Sequence, residues 1–332
     1  MSLNVALVGC GRIARALHGP ILSRLPAARL SAIVDPDGAA RMAMSRIAPG
    51  AVLHADLESV LQAGEADAVV ICTPPEYHAE ATLAALDAGL PVYVEKPLAP
   101  TEQEAEALIA ARQVAGTVGI VGHNFRFHPE ILSARDRIAS GELGAPVAIR
   151  SVFTSERRAL PDWKLKMGGG GDALTDLGSH HVDLFGYLSG QAVDPGSVQA
   201  RQKPGPDGSA ATLSASLDDG TPLSLTVAQT SGVSVHRIEI LCEKAHLEID
   251  LVSGRATMSR SQARLGTMGR WQARIADGAA AVDPRHRPDP SFEAALSHFV
   301  TVAAGGDPAG SAVPADFRVG ARAMTLLRSA LD

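Results

Sequence analysis

Only three cysteines occur in 332 residues. Cys10, Cys72 and Cys242 are widely spaced, which excludes both a disulfide framework and a CxxC redox or metal pair. Positive charge is in deficit: 30 Lys and Arg stand against 36 Asp and Glu, for a formal net charge of −6. With no dense basic patch either, the chain does not read as a nucleic-acid binder. No apolar run approaches bilayer length. The N-terminus carries neither a basic leader region nor a small-residue cleavage pattern, so a cytoplasmic protein without a membrane partner is expected. No HExxH segment and no internal repeat is present. What remains is 46% hydrophobic and 20% charged, an ordinary soluble composition. The length is enough for two domains with proper cores.

The most informative stretch is Val5-Ala-Leu-Val-Gly9-Cys-Gly11-Arg-Ile-Ala14, an apolar run ending in GxGxxA before a helix-compatible segment. In this setting Gly9 permits a tight strand-to-helix turn. Gly11 lets the backbone approach a pyrophosphate, and Ala14 keeps the helix close to the sheet. The phosphates would meet free N–H groups at the helix start. A second apolar run, Leu30–Val34, ends in Asp35. That acid follows Gly11 at close to the ~20-residue spacing of a ribose-binding carboxylate.

Further apolar runs at Ala68–Cys72, Pro91–Val94 and Val118–Val121 alternate with segments rich in Ala, Leu and Glu, such as Glu76–Ala88 and Thr101–Ala115. Short continuous apolar strands with helical crossovers predict a doubly wound parallel sheet over residues 1–122. Thr101 and Glu104 form a capping box. After a helix at Pro129–Ser140, strict period-2 alternation takes over at Leu213–Leu217, Leu223–Val227, Ile238–Cys242 and Leu247–Leu251. This predicts an α+β domain over 123–332 with an open, mainly antiparallel sheet. Thr212, Ser214, Ser216, Ser224 and Thr226 fill its alternate face where Lys and Glu would mark a solvated one, so a homodimer or homotetramer is expected. Gly266–Pro290 reads as an irregular loop. Helices are expected at Ser291–Ala304 and Asp316–Leu331, the last able to pack back on the first domain.

Three segments carry candidate chemistry. Thr73-Pro74-Pro75-Glu-Tyr-His78 follows a strand, at the edge where ligands bind such sheets; its prolines stiffen a wall that can face a cofactor. His78 falls at a helix start and reads as structural. Glu95-Lys96-Pro97 follows the next strand and points a lysine into the same crevice. In Gly168–Asp183, read as a helix, Asp176, His180 and Asp183 share a face at i, i+4 and i+7. His181 joins an apolar stripe with Leu177, Leu184 and Leu188 and reads as packed. His180, flanked by carboxylates, suits acid–base work near neutral pH. A metal site would need a different spacing, and none is expected.

Taken together, GCGRIA at Gly9–Ala14, Asp35, TPPEYH at Thr73–His78, EKPL at Glu95–Leu98, NFRFHP at Asn124–Pro129 and DLGSHHVD at Asp176–Asp183 resemble the Gfo/Idh/MocA oxidoreductases over nearly the whole chain. The resemblance implies a Rossmann domain, a C-terminal α/β domain and NAD(P)-dependent redox chemistry on sugars, polyols or their derivatives. It places Lys96, Asp176 and His180 in the catalytic group, and Asn124 and Arg126 near nicotinamide and substrate. The implied cofactor set is Gly9, Gly11, Arg12, Ile13, Asp35, Thr73, Pro74, His78, Glu95, Lys96 and Asn124. The implied substrate set is Lys96, Arg126, Trp163, Asp176 and His180. Arg157, Arg158, Lys164 and Lys166 are further pocket candidates. Asp172 departs from the pattern, standing where a third glycine is common; it can cap the helix or reach substrate. Asp35 and Asp37 predict NAD rather than NADP, with Arg12 and Arg41 as the cations that would oppose this. Two other readings stay open: a relative that uses NAD transiently in glycoside hydrolysis, and a nucleotide-sensing regulator without catalysis.

Overall fold

The structure is a computed structural model and describes residues 2–156, 171–205, 208–260, 289–308 and 310–330. The expected loop at 266–290, apart from its last two residues, lies outside them, as do Trp163, Arg157, Arg158, Lys164 and Lys166. The chain forms two compact units. One runs through Phe127 and takes in Ser291–Thr325; the other begins at His128 and includes Leu326 onward.

The first unit is built on β1 (Leu3–Val8), β2 (Ala28–Val34), β3 (Val52–His54), β4 (Ala68–Ile71), β5 (Val92–Val94) and β6 (Gly119–Val121), in the order β3-β2-β1-β4-β5-β6. Every pairing is parallel. The order reverses between β1 and β4, the switch point where such sheets bind ligands. Period-2 alternation divides the core. Leu7, Val70, Tyr93 and Ile120 face one helical layer. Val8, Val69, Ile71, Val94 and Val121 face the other. The glycine turn leads through a π-helical turn, Ala14–His18, into α1 (Gly19–Leu22). The remaining crossovers are α2 (Gly38–Ser45), α3 (Leu57–Ala63), α4 (His78–Asp87) and α5 (Glu102–Ala115). The α5 capping box forms as its sequence predicts: Glu104 N–H donates to Thr101 Oγ1, and Thr101 N–H to Glu104 Oε2.

The second unit begins with α6 (Pro129–Ala139) and β7 (Pro146–Glu156). A π-helical turn at Leu174–Gly178 runs into α7 (Ser179–Ser189). Six more strands follow: β8 (Gln199–Gly205), β9 (Gly208–Ser216), β10 (Pro222–Ser231), β11 (Val235–Cys242), β12 (Ala245–Asp250) and β13 (Arg255–Arg260). The sheet order is β13-β12-β11-β7-β10-β9-β8. All pairs are antiparallel except β7 with β10, so the sheet is mixed at its centre. The inner face buries Leu213, Leu225, Val227, Ile238, Ile240, Leu247 and Ile249. Thr212, Ser214, Ser224 and Thr226 are exposed on the other. The two closing helices are α8 (Ser291–Ala303), whose Phe299 and Val300 join the first unit's core, and α9 (Phe317–Ser329), whose Phe317 packs on the opposite face of the parallel sheet.

Candidate cofactor and catalytic residues

The turn after β1 is held against the end of β4. Gly9 adopts φ +90°, and a Cβ there would lie 2.7 Å from Thr73 N and 2.8 Å from the Cys72 carbonyl carbon. Only glycine allows this approach. Around Gly11 the opposite holds: a Cβ would meet nothing within 4 Å. The backbone therefore opens onto space where a pyrophosphate can approach. Gly11 and Arg12 are exposed and Ile13 half-buried.

Asp35 closes the other side of this cradle. Its Oδ2 accepts the Cys10 N–H at 2.7 Å and its Oδ1 the Asp37 N–H at 2.9 Å. Asp37 caps α2 by accepting from Ala39 N. The Arg41 guanidinium donates to the Asp35 carbonyl oxygen. Cys10 is a packed residue: burial pushes its thiol up to about 12.

Thr73 and Pro74 follow β4, and Glu95 and Lys96 follow β5, so the edge residues read from the sequence gather at the carboxyl ends of neighbouring strands. Lys96 is half-buried, and its peptide bond to Pro97 is cis. His78 opens α4, with Nδ1 2.7 Å from the Pro97 carbonyl and Nε2 2.9 Å from that of Thr73. Burial outweighs these bonds and lowers its pKa, so the ring is neutral at pH 7. His18 Nε2 lies 2.7 Å from Glu95 Oε1. Asn124 is buried and donates to Ser291 Oγ at 2.6 Å. Arg126, a substrate candidate, donates to the carbonyls of Val313 and Pro314. Thr73 Oγ1 and Asn124 Oδ1 are enclosed and have no hydrogen-bond partner among the described residues, which leaves polar capacity at the same edge. The open approach at Gly11, the anchored Asp35 carboxylate and these spare polar atoms fit a dinucleotide.

In the second unit, Asp176, His180 and Asp183 are all buried, at 6–8% exposure. Their stretch is not one regular α-helix. The π turn around Asp176 widens the helix before α7 begins, a feature that recurs at functional sites. Asp172 acts as a cap: its Oδ1 accepts from Thr175 N at 3.0 Å and from Gln202 Nε2 at 3.1 Å, while its carbonyl accepts from Asp176 N. Among the described residues no group of His, Cys, Asp or Glu is arranged to hold a metal. His181 is fully enclosed beside Phe153 and His236. Neither of its ring nitrogens has a hydrogen-bond partner among the described residues, and burial lowers it to about 3.

Three polar residues here escaped the sequence reading. Gln229 donates Nε2 to the Gly171 carbonyl at 2.7 Å and to Asp176 Oδ2 at 3.4 Å, and accepts from Ser209 N at 3.2 Å. Gly208, at φ +132°, makes room for it; a Cβ there would lie 2.9 Å from that of Gln229. The signal was its parity, since Gln229 continues the inward series Leu223, Leu225, Val227. His236 likewise shares parity with Ile238 and Ile240. His18 stands one helical turn after Ala14, on the face that packs against the sheet.

A family profile described as an oxidoreductase family with an NAD-binding Rossmann fold matches residues 3–123. A second, for the GFO/IDH/MocA C-terminal domain, matches residues 131–248. Inositol 2-dehydrogenase of Corynebacterium glutamicum (strain R) is 32% identical over 193 residues, 58% of this chain and 56% of that protein. The aligned stretch thus spans little more than half of such a curated relative. Inositol 2-dehydrogenase 4 of Saccharopolyspora erythraea is 28% identical over 318 residues, 92% of this chain and 86% of that one. In fold, the chain matches UDP-N-acetylglucosamine 3-dehydrogenase of Acidithiobacillus ferrooxidans with a TM-score of 0.77 at 22% identity, covering 100% of this chain and 96% of that one. With both domain profiles matched in order, and with the parallel sheet of a Rossmann fold over the first, the chain belongs to the Gfo/Idh/MocA oxidoreductase family.

Proposed function

We propose that the chain is an NAD-dependent dehydrogenase that acts on a secondary alcohol of a sugar, a cyclic polyol or a sugar derivative. The observation that carries this reading is the convergence at one sheet edge of the glycine turn, the anchored Asp35 carboxylate and the half-buried Lys96. The family membership and the inositol dehydrogenases among the relatives support the reaction type and the substrate class.

When bound, the nicotinamide ring supplies the hydride acceptor; the protein must handle the proton from the alcohol oxygen. Lys96 meets the substrate hydroxyl, and its ammonium stabilises the developing alkoxide. His180 takes the hydroxyl proton. Asp176 orients His180 and holds a neighbouring hydroxyl, and Arg126 and Trp163 complete the substrate contacts. Asp35 accepts hydrogen bonds from the adenosine ribose and repels a 2′-phosphate, which favours NAD over NADP. Three free cysteines suit a reducing compartment, and we place the enzyme in the cytoplasm. No helix among the described residues is long and apolar enough to cross a membrane. On β9 and β10 the outer face of the mixed sheet is uncharged, with Thr212, Ser214, Ser224 and Thr226 exposed, while β7 and β11 carry Arg150, Arg237 and Glu239 beside it. The uncharged part supports a homo-oligomer formed through that face.

The reading is tested by following NADH formation with a panel of inositols, aldoses, glycosides and sugar acids. Accumulating NADH with at least one of them is expected. Sugar release from a glycoside without net NADH would assign the hydrolase chemistry instead, and NAD binding without turnover of any panel member would favour a sensor.

A further inference from the structure

We propose that His18 and His78 are positioning residues that hold the Glu95-Lys96-Pro97 turn from its two sides and thereby set Lys96. The proposal rests on the dehydrogenase reading, in which Lys96 meets the substrate hydroxyl.

The geometry is a continuous chain of short contacts within the first unit. Strand β5 ends at Val94; the Glu95 N–H still donates to the Ile71 carbonyl of β4 at 2.9 Å, and Lys96 and Pro97 lie beyond the strand ladder. On the N-terminal side, Glu95 Oε1 lies 2.7 Å from His18 Nε2, and Glu95 Oε2 accepts the Lys96 N–H at 3.2 Å. On the C-terminal side, the Pro97 carbonyl lies 2.7 Å from His78 Nδ1, and the same ring reaches the Thr73 carbonyl at 2.9 Å. Each neighbour of Lys96 therefore contacts a buried imidazole, and the neutral His78 ring, whose single N–H donates to one carbonyl at a time, also lies against the loop after β4.

The His18 contact is built tightly. The ring is 0% exposed and packs edge-on against Tyr93 and Phe292, with centroids 5.8 and 5.9 Å away. Gly122 leaves the Glu95 carboxyl its place, since a Cβ there would lie 3.1 Å from Glu95 Cδ and Oε2. Burial opposes charge on both partners, but the pairing prevails. Burial keeps Cys72 a thiol, so the Glu95 carboxylate is the effective partner that raises His18 above its ordinary value. Glu95 is lowered by His18 and Lys96 despite its burial. A buried carboxylate that loses its partner must move toward water or take up a proton, and either response releases the Lys96 amide. The His18 ring bonds to Glu95 and packs on Tyr93 and Phe292, and of these only Glu95 is a cofactor candidate. It acts through Glu95, and its loss should leave the glycine turn and Asp35 intact.

The first test is amide hydrogen exchange on the full chain without added ligand. In His18→Leu, the peptide carrying residues 95–98 should exchange about tenfold faster, the worth of one lost hydrogen bond, while β1 and β4 keep their protection. His18→Gln, which keeps a donor, should recover most of it. Unchanged exchange at 95–98, or an even rise across the whole first unit, would overturn the proposal, since His18 would then be ordinary core. His78→Leu should raise exchange at both 95–98 and the Thr73 loop; an effect confined to α4 would count against its share in the brace. The second test is a double-mutant cycle, using the panel member that gives the highest rate. His18→Leu should lower kcat by about 10- to 100-fold with KM for NAD little changed, and should lower it no further in a Lys96→Ala background. A full multiplicative loss in that background would contradict action through Lys96. If Lys96→Ala itself keeps the wild-type kcat, the dehydrogenase assignment of Lys96 fails, while the exchange measurement still decides whether the brace exists.

Discussion

The Asp35 carboxylate accepts the Cys10 amide hydrogen at 2.7 Å, tying the acid at the end of β2 to the glycine turn after β1. Its second oxygen is oriented by the Asp37 N–H. Two backbone amides thus fix the carboxylate before any ribose arrives, so little ordering is left for binding to provide. Each oxygen keeps capacity to accept from a ribose hydroxyl.

Asp35→Ser should lower kcat/KM for NAD by about 10- to 100-fold, as expected for a lost hydrogen bond to a charged group. It should narrow the ratio of NAD to NADP efficiency, because the charge that repels a 2′-phosphate is gone while Arg41 remains beside the site. Steady-state kinetics with both cofactors checks this. A wild-type preference for NADP would contradict the assignment.

Gln229→Ala should lower stability by about 1–3 kcal/mol, since the Gly171 carbonyl, Ser209 N–H and Asp176 Oδ2 each lose a buried partner. Because Gln229 reaches Asp176, kcat should fall while the Kd for NADH, held by the first unit, stays near wild type. Urea denaturation and NADH fluorescence titration measure the two effects separately.

Much of this arrangement was legible in the sequence because physics leaves few alternatives. Buried parallel strands must be continuous apolar runs, and the Gly9 turn needs glycine, so the first unit is written plainly. The second is plain where one face is buried, as at Leu223–Val227. Strands β3, β7, β8 and β13 were not read. Edge strand β3, Val52–His54, buries none of its side chains fully and so lacks the apolar run of its neighbours. Edge strand β8, Gln199–Gly205, buries no side chain and is held by backbone pairing to β9, so it carries no apolar signature. Strand β7 lies at the centre of the sheet but loses strict alternation, with Val147 and Val152 exposed and Ser151 buried. The helical spacing at Asp176 assumed regular α geometry, and the π turn depends on tertiary packing that periodicity does not encode. The polar partners Gln229 and His18 sit at positions whose pattern predicts burial, but their contacts arise only from the fold.

Acid should destabilise the second unit. Burial holds His181 at about 3 in the folded chain, and burial with the nearby His181 and His128 lowers His236 as well. The unfolded chain titrates near 6.5. Between these values it binds more protons than the native state, so stability is intact above about 6.5 and falls as pH drops toward 3. The expected slope is about 1.4 kcal/mol per pH unit for each histidine. His181→Ala should cost roughly 2–4 kcal/mol at neutral pH by opening a cavity, and should flatten the acid limb. Denaturant melts across that range decide it; an equally steep acid limb in the variant would place the protons elsewhere.

The outer sheet face should be an interface between copies. Static light scattering at micromolar protein is expected to give a multiple of 34.4 kDa. Placing charge at its centre with Ser224→Glu and Thr226→Lys, each tested singly, should shift the protein toward monomer. A wild-type monomer would remove the interface.

The account's central claim is that Lys96 and His180 carry out the alcohol chemistry on a chain that binds NAD independently of them. The direct measurement pairs single-turnover NADH formation with NADH affinity in Lys96→Ala and His180→Ala. Each variant should lose about 10²- to 10⁴-fold in rate, the usual cost of removing a positioned acid–base or electrostatic group, while Kd for NADH changes by only a few-fold. Near-normal rates in His180→Ala, with activity abolished in His181→Ala instead, would contradict it.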